Sequence, residues 1–274
     1  MKRLINLQPS RGLQWGLSLA PFLILAIIYL TLSRARLAEN ANDRLLPSPS
    51  AMGEAFWRLA FEPSRRTGEL ILLHDTLASL EHLALGIGIS AMVALVCGLL
   101  NGGLPLIRAT CSPLVTVISL IPPMAILPVL FIVFGTGDMA KIALIVIGVT
   151  PFLIRDLQGH ALQLPAEQGI KAQTLGANSW QILLRVMLPQ LLPRLIAGVR
   201  LALGSAWLFL IAAEAIAAQE GLGYRIFLVR RYLAMDVILP YVAWITFLAF
   251  VFDQVLAWLS RHAFRWYHAT GGNH

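Results

Sequence analysis

The sequence predicts an all-α integral membrane protein with six transmembrane helices. Of its 274 residues, 58% are hydrophobic and only 13% are charged, whereas a soluble domain carries about a quarter charged residues. Several charge-free stretches are also long enough for a helix of about 20 residues to cross a bilayer core. This composition excludes a cytosolic enzyme and a disordered tail. A nucleic-acid-binding module is excluded as well, because the basic residues that give the net charge of +7 are scattered between apolar blocks.

The first predicted span covers residues 15–32, in the charge-free stretch after Arg11. No small-residue cleavage site follows its apolar stretch, so we expect a retained helix rather than a signal peptide. Residues 1–14 are then predicted to be a cytoplasmic N-terminus. With that orientation, the following basic residues lie on the cytoplasmic side, where membrane proteins carry an excess of Lys and Arg: Lys2, Arg3, Arg11, Arg108, Arg155, Lys171, Arg185, Arg194, Arg200, Arg261 and Arg265.

A long periplasmic segment is predicted at residues 33–78, where the composition becomes polar. Ser48 and Pro49 suit the cap and the first residue of a helix. The apolar residues that follow at helical spacing are Met52, Ala55, Phe56 and Leu59. This pattern predicts a short amphipathic helix lying on the membrane.

The rest of the chain predicts five more spans, since charge-free or nearly charge-free stretches recur along it. They lie at about 83–104, 113–134, 139–157, 196–217 and 237–259. The largest internal polar region, residues 155–194, lies between the fourth and fifth of the six spans, and its loop is predicted at 160–190. Residues 260–274 are predicted to be a cytoplasmic C-terminus.

Residues 170–189 of this polar region carry a helix-turn-helix pattern. Residues 172–175 suit a short helix, and Gly176 can end it with a positive φ. Asn178 or Ser179 can cap the helix that follows. A small apolar helix end presented to the cytosol is best explained by a groove in a partner. An ordinary helix hairpin between two spans explains the same residues, and the pattern alone leaves both interpretations open.

The spacing within this loop resembles the signature of a transporter family. Ala172-x-x-x-Gly176, nine residues, and then Val186-x-Leu188-Pro189 are similar to the Glu-Ala-Ala-x-x-x-Gly-x9-Ile-x-Leu-Pro loop of ATP-binding-cassette (ABC) importer permeases. Further segments resemble the nitrate, sulfonate, taurine and bicarbonate branch of the family: Leu46-Pro47-Ser48-Pro49-Ser50, Ile121-Pro122-Pro123-Met124-Ala125-Ile126-Leu127-Pro128, and Ala212-Ala213-Glu214 with Gly221-Leu222-Gly223-Tyr224. The resemblance covers roughly residues 45–266.

This resemblance implies a type I ABC importer (MetI-like) permease fold, with residues 79–266 as the transmembrane type-1 domain. In that family the loop is a coupling helix that sits in a cleft of an ATPase subunit. The coupling residues carried over are Ala172, Gln173, Thr174, Leu175, Gly176, Ala177, Trp180, Val186, Leu188 and Pro189. Ile170-Lys171 replaces the family's Glu-Ala pair, which removes a glutamate that can pair with the ATPase but leaves the glycine turn.

The implied partners are a second permease copy in a homodimer, two ABC ATPase subunits and a periplasmic or lipid-anchored solute-binding protein. The implied location is the bacterial inner membrane, crossed several times, with both termini cytoplasmic. No Gly-Lys dipeptide occurs, so the chain lacks the G-x-x-x-x-G-K-[ST] phosphate loop. We therefore expect no catalysis and no cofactor in this chain, since ATP and Mg would be bound by the partner ATPases.

The solute implied by the resemblance is small and polar or ionic, of the nitrate, sulfonate, taurine and bicarbonate class. Residues 224–232 resemble permeases associated with urea or guanidine utilisation more than those for taurine. A gradient-driven secondary transporter or channel is the alternative function. It would need more intramembrane charges or an inverted repeat, and the sequence shows neither.

Two features inside the predicted spans are candidates for a solute path. Pro122, Pro123 and Pro128 remove backbone donors in mid-span, where freed carbonyls need protein or water. With Met124 they are expected to line the path or form a hinge beside it, the alternative being a structural kink. Glu214 lies deep in a span among alanines and is expected to act as a gate or an interhelical hydrogen-bond partner.

The other ionisable residues have simpler interpretations. Asp253, the second acid deep in a span, is expected to pair with Arg261 or to reach the inner interface. The histidines show no ligand spacing, so no metal site is expected.

Overall fold

The computed structural model is almost entirely helical and describes residues 10–40, 43–64 and 68–270. Its helices are α1 (Arg11–Glu39), α2 (Pro49–Phe61), α3 (Ile71–Gly103), α4 (Pro105–Ser119), α5 (Pro123–Phe134), α6 (Asp138–Leu162), α7 (Ala166–Thr174), α8 (Ser179–Gln181), a π-helical turn (Ile182–Met187), α9 (Leu188–Ala217), α10 (Leu222–Arg230), α11 (Met235–Ala263) and α12 (Arg265–Thr270). The predicted cytoplasmic termini, residues 1–14 and 260–274, lie partly outside the described residues.

Four helical segments in the described part of the chain are long and apolar enough to cross a membrane: Gly12–Glu39, Ile71–Gly103, Ser179–Ile216 and Met235–Ala263. The pair α4 and α5 makes a fifth if it is counted as one span. Helix α6 occupies the position of the predicted fourth span, 139–157, as a helix of 25 residues at the centre of the bundle. These elements are consistent with six spans.

The predicted span at 113–134 is not one continuous helix. Helix α4 ends at Ser119, α5 begins at Pro123, and the two are bent by 94°. Two successive prolines cannot donate to the helical ladder, and each disfavours helical geometry in the residue before it. Pro122 and Pro123 therefore break the helix.

Helix α2 forms where the amphipathic pattern predicted it, with the hydroxyl of Ser48 accepting a hydrogen bond from the Ala51 N–H at 3.2 Å. Its apolar face packs against other helices of the protein, and a position on the membrane surface stays a prediction. Ala55 is buried, Phe56 and Leu59 pack against the core, and the helix contacts α11 and α3. The apolar face of α2 packs against α11. A local sequence pattern cannot predict a packing partner so far along the chain.

The core lies where α6 packs between α3 and α9. Two glycines of α3 allow α6 to approach closely. A Cβ added at Gly98 would lie 2.7 Å from the Cβ of Leu157, and one added at Gly102 would overlap the Cβ of Ala161. The Gly98-x-x-x-Gly102 spacing is therefore a helix-packing site.

The bundle has two ends that matter for function. At the Asp75 end, α3, α6 and α11 begin and α9 ends, since Asp75 contacts α10 and α11 and His82 contacts Asp138. At the Gly102 end, α3 and α6 finish, and the Gly103 region meets the π-helical turn. Helix α7 and the exposed loop after it therefore lie at the Gly102 end.

Candidate functional site

The turn after α7 has the geometry that the sequence predicts. Gly176 has a φ of +82°, and the Ala177 N–H donates to the Ala172 carbonyl at 3.0 Å, which closes the helix end. Asn178, rather than Ser179, caps the next helix. Its side chain accepts from the Gln181 N–H, and its own N–H donates to the Gln181 side chain, both at 2.9 Å.

Large apolar side chains project from this turn into solvent. Leu175 is 88% exposed and Trp180 is 61% exposed. Of the remaining predicted coupling residues, Gln173, Thr174, Gly176 and Pro189 are exposed, while Ala172, Ala177, Val186 and Leu188 are half-buried. Large apolar side chains exposed at a loop tip are typical of a protein–protein contact.

A cavity of about 560 Å³ lies at the break between α4 and α5, against α6 and α9. Pro123 lines it, whereas Pro122, Met124 and Pro128 do not. The side chains around it are mostly apolar, with three polar groups. The lining residues are Ile118, Ser119, Ile121, Pro123, Ile147, Gly148, Pro151, Phe152, Arg155, Asp156 and Phe209.

Arg155 is the basic side chain that lines this cavity. Its Nη1 donates a hydrogen bond to the Ser119 hydroxyl at 2.9 Å. Across residues 10–40, 43–64 and 68–270, no carboxylate lies within ion-pairing distance of its guanidinium. The carboxylate of Asp156, next in sequence, lies 3.6 Å from the Nδ1 of His160 one turn along α6.

Glu214 is fully buried at the other end of the bundle. Its carboxylate accepts hydrogen bonds from the Ser79 hydroxyl and the Gly223 N–H, each at 2.8 Å. The Nδ1 of His82 lies 3.6 Å from it. Glu214 thus joins α9 to α3 and α10. Of its two expected roles, a gate or an interhelical hydrogen-bond partner, this arrangement corresponds to the second. A gating role stays a prediction.

Asp75 extends this arrangement into what we call the Asp75–Glu214 cluster: Asp75, Ser79, His82, Glu214, Arg225 and Tyr241. The buried carboxylate of Asp75 accepts from Arg225 Nε at 2.8 Å and from the Tyr241 hydroxyl at 3.3 Å. Burial lowers the pKa of Arg225, but the hydrogen bond and charge of Asp75 outweigh that effect, so its pKa is raised.

Asp138 connects this cluster to α6. Its Oδ1 lies 3.0 Å from the Nε2 of His82 and 2.8 Å from the Nζ of Lys141. The hydrogen bond from Lys141, together with the charges of Lys141 and His82, lowers the pKa of Asp138 against the opposing effect of partial burial. The cluster itself joins α3, α9, α10 and α11, and Asp138 links it to α6.

The expected partner of Asp253 is corrected. Its carboxylate binds Arg200, with Nε and Nη2 at 2.7 and 2.9 Å, and Arg261 donates instead to the Ala257 carbonyl. The bidentate geometry explains the choice, since a guanidinium fork matches both carboxylate oxygens.

Sequence reasoning missed the charged groups that matter most. From the sequence, Arg155 is expected only as a basic residue of the inner side and Asp156 has no predicted role, although an ionisable pair at the end of a charge-free stretch is itself a signal of function. Asp75 was assigned to a loop and His82 to its edge, because the second span was predicted to begin at residue 83 and α3 begins at Ile71.

Residues 86–266 match the model of the family described as "binding-protein-dependent transport system inner membrane component". The chain belongs to this family. It is a permease subunit of an ABC transporter, an integral membrane protein that does not itself hydrolyse ATP. Membership also implies ATPase and solute-binding protein partners, and it decides against the gradient-driven alternative.

Two curated relatives show the branch to which the permease is similar. The taurine transport system permease protein TauC of Escherichia coli (strain K12) is 30% identical, over 94% of this chain and 95% of that protein. The bicarbonate transport system permease protein CmpB of Synechococcus elongatus is 32% identical, over 71% of this chain and 70% of that protein. These relatives confirm the branch that the sequence motifs indicated.

The fold is similar to that of a solved transporter. A chain of the inward-facing MetNI methionine ABC transporter superposes with a TM-score of 0.60 at 22% identity, covering 68% of this chain and 93% of that chain. This similarity confirms the type I importer permease fold.

Proposed function

We propose that the permease imports a small solute with an oxyacid group, such as taurine or bicarbonate, across the bacterial inner membrane. The observation that carries the proposal is similarity to TauC along almost the whole of both chains. The cationic side chain in the cavity, Arg155, suits such a solute. A urea- or guanidine-type solute would be neutral or cationic, and no similarity among the curated relatives described above favours it.

The proposed assembly contains two copies of the permease, two ATPases that bind ATP and Mg, and a solute-binding protein. The Gly102 end and both termini lie on the cytoplasmic side, so the tip at Leu175 and Trp180 docks in the ATPases. The binding protein docks at the Asp75 end. Closure of the ATPases then shifts the helices behind the π-helical turn, and the path beside the α4–α5 break alternates between the two sides.

The proposed path includes the sequence candidates Pro122, Pro123, Met124 and Pro128, and the proposed gate is Glu214. Support for the path comes from the 94° bend and the cavity beside it. Support for the gate comes from the position of Glu214 between three helices.

The experiment that tests this function is purification of the tagged permease from its native membrane, followed by reconstitution and uptake assays. We expect one ATPase per permease, and ATP-dependent uptake of labelled taurine or bicarbonate when the binding protein is present. Uptake of urea or guanidine alone would contradict the proposed solute class. A permease without an ATPase, even after crosslinking, would contradict the proposed assembly.

Leu175→Asp tests the coupling surface. A charge at the centre of a buried apolar contact carries a desolvation cost, so we expect ATPase association to weaken by about 10- to 100-fold, a few kcal/mol. The control is Leu106→Asp, because Leu106 is 84% exposed at the start of α4 and lies outside the loop. Equal association of the ATPase with both variants would rule out this surface as the coupling site.

A further inference from the structure

The cavity beside the α4–α5 break has the size and lining of a small-molecule site. Its volume of about 560 Å³ is within the range of about 300–1,000 Å³ that holds small ligands. Apolar side chains of α4, α6 and α9 form most of its wall, and Ser119, Arg155 and Asp156 supply the polar groups. A few polar groups in an apolar wall give a ligand one orientation.

Unlike Arg200 and Arg225, Arg155 has no protein counter-ion within the described residues, and it lines a cavity. Arg200 is held by Asp253 and Arg225 by Asp75, each through two nitrogen atoms. Within the described residues the polar contact of Arg155 is the Ser119 hydroxyl, a neutral group. The guanidinium is exposed at the cavity, and its planar fork matches two oxygens of a sulfonate or carboxylate.

Asp156 gives the same cavity an opposite charge. Its side chain is 26% exposed, and the Nδ1 of His160 lies 3.6 Å from its carboxylate. A carboxylate in this position can accept hydrogen bonds from an ammonium group of a ligand. The two neighbouring charges therefore match a short zwitterion, with an oxyacid group at one end and an ammonium group at the other.

We infer that this cavity is a transit site for a zwitterionic amino-oxyacid. Arg155 and Ser119 bind the oxyacid group, Asp156 binds the ammonium group, and the apolar wall contacts the methylene groups between them. The inference rests on the proposed function, to which it adds the binding site and the zwitterionic charge of the solute. It separates an amino-sulfonate such as taurine from a sulfonate without the ammonium group.

The test measures binding to the permease–ATPase complex in lipid nanodiscs, without the binding protein, using taurine and ethanesulfonate as probes. Arg155→Gln is expected to weaken the Kd for both probes by about 10- to 100-fold, because one charge-assisted hydrogen-bond pair is lost. Asp156→Asn is expected to weaken taurine binding by about tenfold and to leave ethanesulfonate binding unchanged. Arg108→Gln, at an arginine of α4 outside the cavity lining, is the matched control.

Two results would overturn the site: no binding of taurine by the wild-type complex, or equal binding by wild type and Arg155→Gln. Arg155→Lys keeps the charge and should bind taurine with intermediate affinity, a result that a folding defect would not produce. An uptake assay on the same complexes separates this inference from the proposed function. If taurine binds at Arg155 but is not taken up, the proposed solute is wrong while the inferred binding site stands.

Discussion

The two charged regions of the bundle differ in how their charges are satisfied. In the Asp75–Glu214 cluster, Asp75 and Glu214 are completely buried and every carboxylate has protein hydrogen-bond donors. Beside the α4–α5 break, Arg155 lies on an open cavity and, among the described residues, has one neutral hydrogen-bond partner. Both regions carry ionisable groups inside a membrane protein, yet one is closed by protein and the other is open.

The difference teaches how to separate charges that the protein itself satisfies from charges that are available to a ligand. A buried charge with a complete set of partners holds helices together, and losing one partner leaves the other uncompensated. A charge that faces a cavity without a counter-ion contributes little to packing and is available to a ligand. Variants at the two regions should therefore affect different measurements.

The largest effect is expected for Asp75→Ala. It leaves Arg225 without its carboxylate and also removes the acceptor of the Tyr241 hydroxyl. Breaking such a buried pair costs about 3–5 kcal/mol, measured as the free energy of unfolding in detergent. The control is Asp236→Ala, since Asp236 is half-buried in the first turn of α11 at the same end. Comparable losses of unfolding free energy in both variants would mean that Asp75 contributes no more to stability than another acidic residue at the same end.

A smaller effect is expected for Gly102→Ala, which tests the scaffold shared by both regions. The added methyl group would overlap the Cβ of Ala161, which has no rotamer to change, so α3 and α6 must separate. Overpacking of this kind costs about 1–3 kcal/mol of unfolding free energy.

Gly88→Ala is the matched control in the same helix, because nothing lies within 4 Å of the new Cβ. Its helix propensity should make it neutral or stabilising by up to about 1 kcal/mol. A Gly102→Ala protein as stable as Gly88→Ala would show that α3 and α6 do not touch there.

The smallest effect on stability is expected for Arg155→Gln. The variant loses one hydrogen bond to Ser119 at an open cavity, so the unfolding free energy should change by no more than about 0.5–1 kcal/mol. Thermal unfolding in the absence of solute measures this change. A loss as large as that of Asp75→Ala would place Arg155 among the structural charges and end the distinction between the two regions.

Local patterns predicted those elements that depend on neighbouring residues. The cap at Ser48, the positive φ at Gly176 and the cap at Asn178 each involve residues within about four positions of one another, and all three formed. The prolines at 122 and 123 indicated a disturbed helix for the same reason. The size of the bend was not predictable, because it depends on how α5 packs against α6 and α9.

The sequence by itself determined the membrane class, most of the helical segments, the turn at Gly176 and the transporter family. Hydrophobic length, helix breakers and motif spacing are properties of a short stretch of chain, so they can be read directly. Only the tertiary structure decided which charges are paired. Asp75 meets Arg225 across 150 residues and Asp253 meets Arg200 across 53, and such pairs depend on helix packing rather than on local preference. The same packing left Arg155 facing a cavity.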